Sequence, residues 1–205
     1  MSSSTIKRAG NEEAAARLSL EKKACLDGIM KKAELLVESE EVQKKRLAVV
    51  AGNQVTYVAG VLWNETTGPL TLSYMYIYRG SFVQRKYPPN PLLVDVEGDF
   101  AIESGDDGVV QAVLVYSGTN EAGVEECAWG LYFYAEPNVL AEVSVWCGPI
   151  GNFLNMNKDE IKEKIKRDGK NSYCSNLGAQ YAYMSAYIYN TSPGNYAVGA
   201  YYYAS

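Results

Sequence analysis

The chemistry open to this chain is set first by a residue it lacks. None of its 205 residues is histidine, the usual general base and metal ligand near neutral pH. Ser–His–Asp, Cys–His and HExxH centres are therefore excluded. Carboxylates, lysines and tyrosines remain. The acidic segment Asp95, Glu97, Asp99, Glu103, Asp106 and Asp107 is the best place for the oxygen ligation that Ca2+ requires. It lacks the DxDxDG spacing of a calcium loop, and nothing fixes a carboxylate separation suited to glycoside hydrolysis. Its plain reading is a solvated edge and loop. The four cysteines, Cys25, Cys127, Cys147 and Cys174, form no CxxC pair, so a structural zinc site is not expected. They read as small buried hydrophobes, with Cys147 and Cys174 the pair to test first in an oxidising compartment. Neither GxGxxG nor a P-loop occurs. No catalytic residue, metal or cofactor is assigned.

Tyrosine is the surplus residue, at 17 copies. Its ring has a wide apolar face and a polar tip, which suits stacking on sugars or lipid headgroups. The runs Tyr74/Tyr76/Tyr78, Tyr132/Phe133/Tyr134 and Tyr201/Tyr202/Tyr203 supply such faces. Core packing is the competing reading for most of them. The last run is special, because neighbouring strand residues point to opposite faces. Either Tyr202, or Tyr201 with Tyr203, must face away from the core, onto a binding surface or an interface. The candidate ligand-binding residues are Tyr74, Tyr76, Tyr78, Trp129, Tyr201, Tyr202 and Tyr203.

These residues need elements to hold them. Residues 1–10 are small and polar and read as disordered. Residues 11–50 read as a helical arm, with Leu18, Cys25, Ile29, Ala33 and Leu36 at helical spacing and Gly28 a point where it could split. The arm's apolar stripe either packs on the body or docks a partner. From Val55 the pattern becomes β-branched and aromatic. Strands are expected at Val55–Trp63, Leu70–Tyr78, Leu92–Val96, Asp99–Glu103, Val109–Tyr116, Cys127–Ala135 and Val139–Trp146. Strict alternation places Leu70, Leu72, Tyr74, Tyr76 and Tyr78 on one face. Asn157 and Glu160 form a capping box, and Gly169 suits a helix end, so a short helix is expected over 158–168. Two closing strands follow at Ala179–Tyr189 and Tyr196–Tyr203. The whole predicts a mainly β fold: a β-sandwich over 51–205 with an N-terminal helical arm and one short helix.

Net charge is −5 and uneven. Residues 51–150 carry three Lys/Arg against twelve Asp/Glu, while residues 151–205 carry six against four. So acidic a body repels phosphate backbones and argues against nucleic acid. No apolar run approaches the roughly 20 residues of a membrane span, and the first residues lack the apolar segment of a secretory leader. A cytoplasmic location is therefore expected, and the sequons Asn64-Glu-Thr66 and Asn190-Thr-Ser192 read as incidental.

Between residues 61 and 147 a series of motifs has a familiar order. Asn64-Glu-Thr-Thr-Gly68-Pro-Leu-Thr-Leu72 leads to Gly80-Ser-Phe82 and Tyr87-Pro88-Pro89. Gly108-Val-Val-Gln-Ala112-Val-Leu-Val-Tyr116 and Cys127-Ala-Trp129 follow, then a Pro-Asn hairpin. The series resembles the 23 kDa jasmonate-induced proteins of plants, and the same order is similar to the aegerolysin- and actinoporin-like β-sandwiches. The first likeness implies a plant stress or defence protein without enzymatic activity. The second implies lipid or glycan recognition. The resulting expectation is a non-catalytic protein that binds a glycan, a lipid headgroup or a protein partner through an aromatic surface. Alternatives are a membrane-binding or pore-forming protein, a His-independent enzyme using Asp/Glu or Tyr, and a homo-oligomer that pairs through the Tyr201–Tyr203 strand.

Overall fold

The structure, a computed structural model, describes residues 20–39, 55–119, 126–168, 173–176 and 182–204. It is mainly β, a sandwich of two sheets with a helix on each outer face. In chain order the elements are α1 (Leu20–Val37), β1 (Tyr57–Glu65), β2 (Thr71–Arg79), β3 (Ser81–Phe82), β4 (Glu97–Glu103), β5 (Val110–Thr119), β6 (Glu126–Ala135) and β7 (Glu142–Pro149). A 3-10 turn (Ile150–Phe153), α2 (Lys158–Asp168), β8 (Tyr173–Asn176), β9 (Ala182–Ser192) and β10 (Asn195–Ala204) complete it. One sheet has the order β3-β4-β1-β10-β9-β8 and the other β2-β5-β6-β7.

The core between the sheets follows from period-two burial. Val58, Leu62, Leu114, Tyr116, Trp129, Phe133, Val145, Val198 and Tyr202 all point into it. Gly60 and Phe100 are paired across β1 and β4, and the Phe100 ring lies over the space a Gly60 side chain would need. That ring then meets Phe133 at 5.7 Å.

The last strand, β10, is inserted in the middle of its sheet, parallel to β1 and antiparallel to β9. This corrects the expectation that the Tyr201–Tyr203 strand is a free edge. The edges are β3, β8, β2 and β7, and two of them are blunted: β3 is two residues long, and β2 carries two register shifts. Short and bulged edges resist pairing with another copy.

α1 lies across the outer face of the six-stranded sheet. It buries Leu26, Ile29, Met30, Ala33 and Val37 against Tyr57, Ala59, Val61, Ala101, Ala197, Tyr201 and Tyr203. Each large apolar side chain so removed from water contributes about 1.5–3 kcal/mol. The small residues beneath it allow close approach; a side chain on Gly199 would collide with Met30. The arm therefore packs on the body. The expected stripe holds, with Ile29 and Ala33 buried and Cys25 and Leu36 partly so, and it is wider than expected, since Leu26, Met30 and Val37 are also buried. Gly28 does not split the helix; no atom lies within 4 Å of where its side chain would be, so the helix backbone carries it on the solvent side. The remainder of the expected helix, 11–19 and 40–48, and the expected disorder of 1–10 lie outside the described residues.

Three strand expectations change. Leu92–Val96 is not a strand: only Leu92 bridges, exchanging backbone bonds with Leu70 at 2.8 and 2.9 Å, and Asp95 turns the chain with φ 55°. Val139 and Leu140 belong to a loop, because Asn138 adopts φ 63° and the Tyr196 hydroxyl donates to the carbonyls of Glu136 and Val139. The third change is two short strands missed from the sequence, β3 and β8.

Candidate functional site

The outer face of the four-stranded sheet collects the half-buried tyrosines. β2 is its edge strand, and its register shift between Leu72 and Tyr74 decides which residues share a face. Leu72 and Ile77 turn towards the core between the sheets, whereas Tyr74, Tyr76 and Tyr78 turn outward. Alternation alone had placed Leu70 and Leu72 with the tyrosines. The bulge adds one residue and inverts that relation.

Across the face the register aligns Tyr76 with Val113, Tyr132 and Ser144, and Tyr74 with Val115, Gly130 and Trp146. The Tyr74 and Tyr76 rings stack at 6.3 Å and 28°. Gln111 donates its amide to the Tyr132 hydroxyl at 3.1 Å. The 3-10 turn drops Phe153 between Tyr74, at 6.3 Å, and Trp146, at 4.7 Å.

α2 covers the β6–β7 half of this face. Its first turn is held as the sequence predicts: the Asn157 side-chain carbonyl accepts from the N–H of Asp159 and Glu160, and Glu160 accepts from the N–H of Asn157 at 2.8 Å. Such a cap contributes about 1 kcal/mol. Ile161 and Ile165 are its buried anchors. Ile165 sits over Gly130, where any side chain would approach it within 2.7 Å.

The lysines of α2 lie towards the rings. Lys158 and Lys162 approach the Tyr78 ring centre at 5.9 and 4.6 Å, Lys164 the Trp146 ring at 5.3 Å and Lys166 the Tyr132 ring at 5.1 Å. The negative face of an aromatic ring attracts an ammonium group, and the lysine stems cover apolar surface. The Tyr78 hydroxyl donates to the Lys158 carbonyl.

Two phenols here, Tyr78 and Tyr134, hold their protons tightly. Burial, then Asp159, Tyr76 and Glu163, push Tyr78 well above the usual tyrosine range. Tyr134 donates its hydroxyl to Glu136, which with burial raises it to about 12. Both remain neutral hydroxyls near pH 7, suited to hydrogen bonding and not to acting as bases.

The sequence-predicted residues thus separate. Tyr74, Tyr76 and Tyr78 come together, half-buried. Trp129 is 0% exposed, and its indole N–H donates to the Tyr183 carbonyl at 3.0 Å. Tyr202 points into the core beside Tyr116, and Tyr201 and Tyr203 face outward as alternation demands, but α1 covers them. Tyr201, Tyr202 and Tyr203 are at most 3% exposed, so none of the three, nor Trp129, offers a ring to a ligand. Sequence reasoning missed Gln111, Gly130, Trp146 and Phe153. It foresaw the helix with its lysines but carried no signal of where that helix lands.

The acidic segment disperses. Glu97 pairs with Lys32 of α1, Asp99 with Lys86 at 2.6 Å and Asp107 with Arg79 at 2.6 Å. The Val109 N–H and Arg79 hold Asp107 below the usual carboxylate range. Among the described residues no group of three metal-ligating side chains converges, and no helix is long and apolar enough to cross a membrane. The sequon residue Asn64 is buried; its amide donates to the Gly68 and Leu92 carbonyls, both at 3.0 Å, and its carbonyl accepts from Thr66. Asn190 of the other sequon is exposed.

Compared with known proteins, the chain matches no family model and no curated protein. Among solved structures it is similar to the lipid binding protein Nakanori, with 17% identity, a TM-score of 0.56, and coverage of 83% of this chain and 84% of that one. A lectin of Xerocomus chrysenteron aligns at 9% identity with a TM-score of 0.44, over 72% of this chain and 99% of the lectin. A mutated form of that lectin gives 9% and 0.45. The likeness to Nakanori is one of fold.

Proposed function

We propose that this chain is a non-catalytic recognition protein that binds a glycan or a lipid headgroup on the tyrosine face of its four-stranded sheet. The observation that carries the reading is the row Tyr74, Tyr76 and Tyr78: half-buried rings, two of them stacked, held on a rigid strand whose bulge aims them outward. Such rings offer flat apolar area with a polar tip, the combination that polyhydroxylated or headgroup ligands use. A sandwich fold shared with a lipid binding protein supports this reading. The dispersed, ion-paired carboxylates and tightly protonated tyrosines support a protein without catalysis. The motif order shared with jasmonate-induced plant proteins supports a stress or defence setting, and a cytoplasmic location goes with it.

The test is a binding screen of neutral and charged glycans and of lipid headgroups, followed by titration of the best ligand against Tyr74→Ala and Tyr76→Ala. Loss of one stacked ring is expected to weaken binding about tenfold or more, since a base or sugar stacked on an aromatic ring gains on the order of 1–3 kcal/mol. A ligand that binds both variants as tightly as the parent chain sinks the assignment of this face.

A further inference from the structure

The charges around the tyrosine row go further than the rings alone. The segment 51–150 is strongly acidic, with three cations against twelve carboxylates. Of those cations, Arg79 and Lys86 are engaged by Asp107 and Asp99. α2 breaks this pattern, with five cations against four carboxylates, and brings Lys158, Lys162, Lys164 and Lys166 to the rings of the outer face. Two of these, Lys158 and Lys162, stand four residues apart and share the Tyr78 ring. Tyr78 in turn adjoins Tyr76, which stacks on Tyr74. One continuous strip therefore runs from two flat rings to two ammonium groups.

Carboxylates stand near this strip, and Asp159 and Glu163 are felt at the Tyr78 hydroxyl. Lys162 has Asp159 at 3.5 Å and Glu163 at 3.8 Å, carboxylates whose side chains are 62% and 66% exposed. The Lys162 stem is mostly covered, with 19% of its side chain exposed, but both carboxylates face solvent, and pairs of this length screened by water are worth little. Glu160 is engaged by the helix cap. An oxyanion arriving over Tyr78 would meet two lysines whose present partners are weak.

We infer that the ligand of the tyrosine face is a soluble saccharide bearing a sulfate or phosphate ester, with its ring on Tyr74 and Tyr76 and its ester held by Lys158 and Lys162. This rests on the reading of the tyrosine face as the binding surface. A soluble ligand is favoured over an anionic bilayer by range. A small molecule senses the lysines beside it, whereas a bilayer senses every charge within the Debye length of about 8 Å and meets the acidic body as well.

The experiment is calorimetric titration of the full chain with a heparin-derived tetrasaccharide, its fully desulfated counterpart, sodium sulfate, and phosphatidylcholine vesicles with and without phosphatidylserine. The sulfated tetrasaccharide is expected to bind about tenfold or more tightly than the desulfated one, the effect of one charge-assisted hydrogen bond. Its affinity should fall with added salt. The Lys158→Gln/Lys162→Gln variant should remove that advantage and bring the two tetrasaccharides to equal affinity. If that variant loses its thermal transition, the Lys158→Arg/Lys162→Arg variant decides: it must retain the advantage. Equal binding of the two tetrasaccharides to the parent chain overturns the inference and leaves the tyrosine face standing. Binding of neither tetrasaccharide overturns the inference, and if no neutral glycan or headgroup binds either, the face itself fails as a site. Binding to phosphatidylserine vesicles alone overturns it in favour of a membrane surface.

Discussion

The two outer faces of the sandwich are built from the same residue type and end in opposite states. On the six-stranded sheet, Tyr201 and Tyr203 lie 4.9 Å apart in a stack that continues to Tyr183 at 5.2 Å, and α1 closes over them with five buried side chains. On the four-stranded sheet, Tyr74, Tyr76 and Tyr78 form a looser row, and α2 reaches it with lysine side chains, the Lys158 carbonyl and two isoleucines, leaving the rings half-buried. The difference lies in the helices. α1 has 18 residues and sits on alanines and a glycine that let it approach; α2 has 11 and is docked through the single gap at Gly130. A tyrosine row becomes core or surface according to the apolar area laid over it.

This contrast can be broken at several strengths. Removing residues 195–204 takes out the strand that joins β1 to β9; no cooperative thermal transition should remain, and a truncated chain that still unfolds cooperatively would show the sheet closes without it. Ile29→Ala on α1 should cost about 2–4 kcal/mol by denaturant unfolding, as buried isoleucine truncations do. Gly130→Val should cost about 1–3 kcal/mol by overpacking and raise amide exchange in α2 while α1 stays protected. Equal loss of protection in both helices would mean the two faces are not independent.

Smaller effects test single groups. Asn157→Ala removes the cap of α2 and should cost about 1 kcal/mol. Tyr202→Phe should change stability by less than about 1 kcal/mol, or raise it, because its buried hydroxyl has no partner among the described residues and deleting it removes a desolvation penalty. A large loss would place an unseen partner there. Alkaline titration reads the weakest term. A tyrosine raised from 10.0 to about 12, as Tyr134 is, keeps its proton longer when folded, so its contribution is complete below pH 10 and is lost as pH rises towards about 12. Tyrosinate absorbance should therefore appear later in the folded chain than in the unfolded one.

Much of this molecule was legible in advance where the signal is local. The helix at 158–168 followed from Asn157, Glu160 and the Ile161/Ile165 spacing, and most strands followed from their β-branched and aromatic runs. Strand ends failed where a left-handed residue or a distant hydroxyl intervened, as at Asn138 and Tyr196. The site was half legible. Tyrosine at 74, 76 and 78 marked a face, but the bulge after Leu72 has no residue signature of its own, and the partners Gln111, Trp146 and Phe153 lie 33 to 75 positions away from the nearest of these tyrosines.

What the sequence by itself determined is the alphabet of local choices: no histidine chemistry, period-two strands, one capped helix, and an acidic body against a basic last third. What only the tertiary structure decided is which of those surfaces remain open. Alternation predicts that Tyr201 and Tyr203 turn away from Tyr202, and they do. Whether turning away meets water or another layer depends on a helix more than 160 residues earlier in the chain. Burial is a property of contacts between distant segments, and period alone carries no record of them.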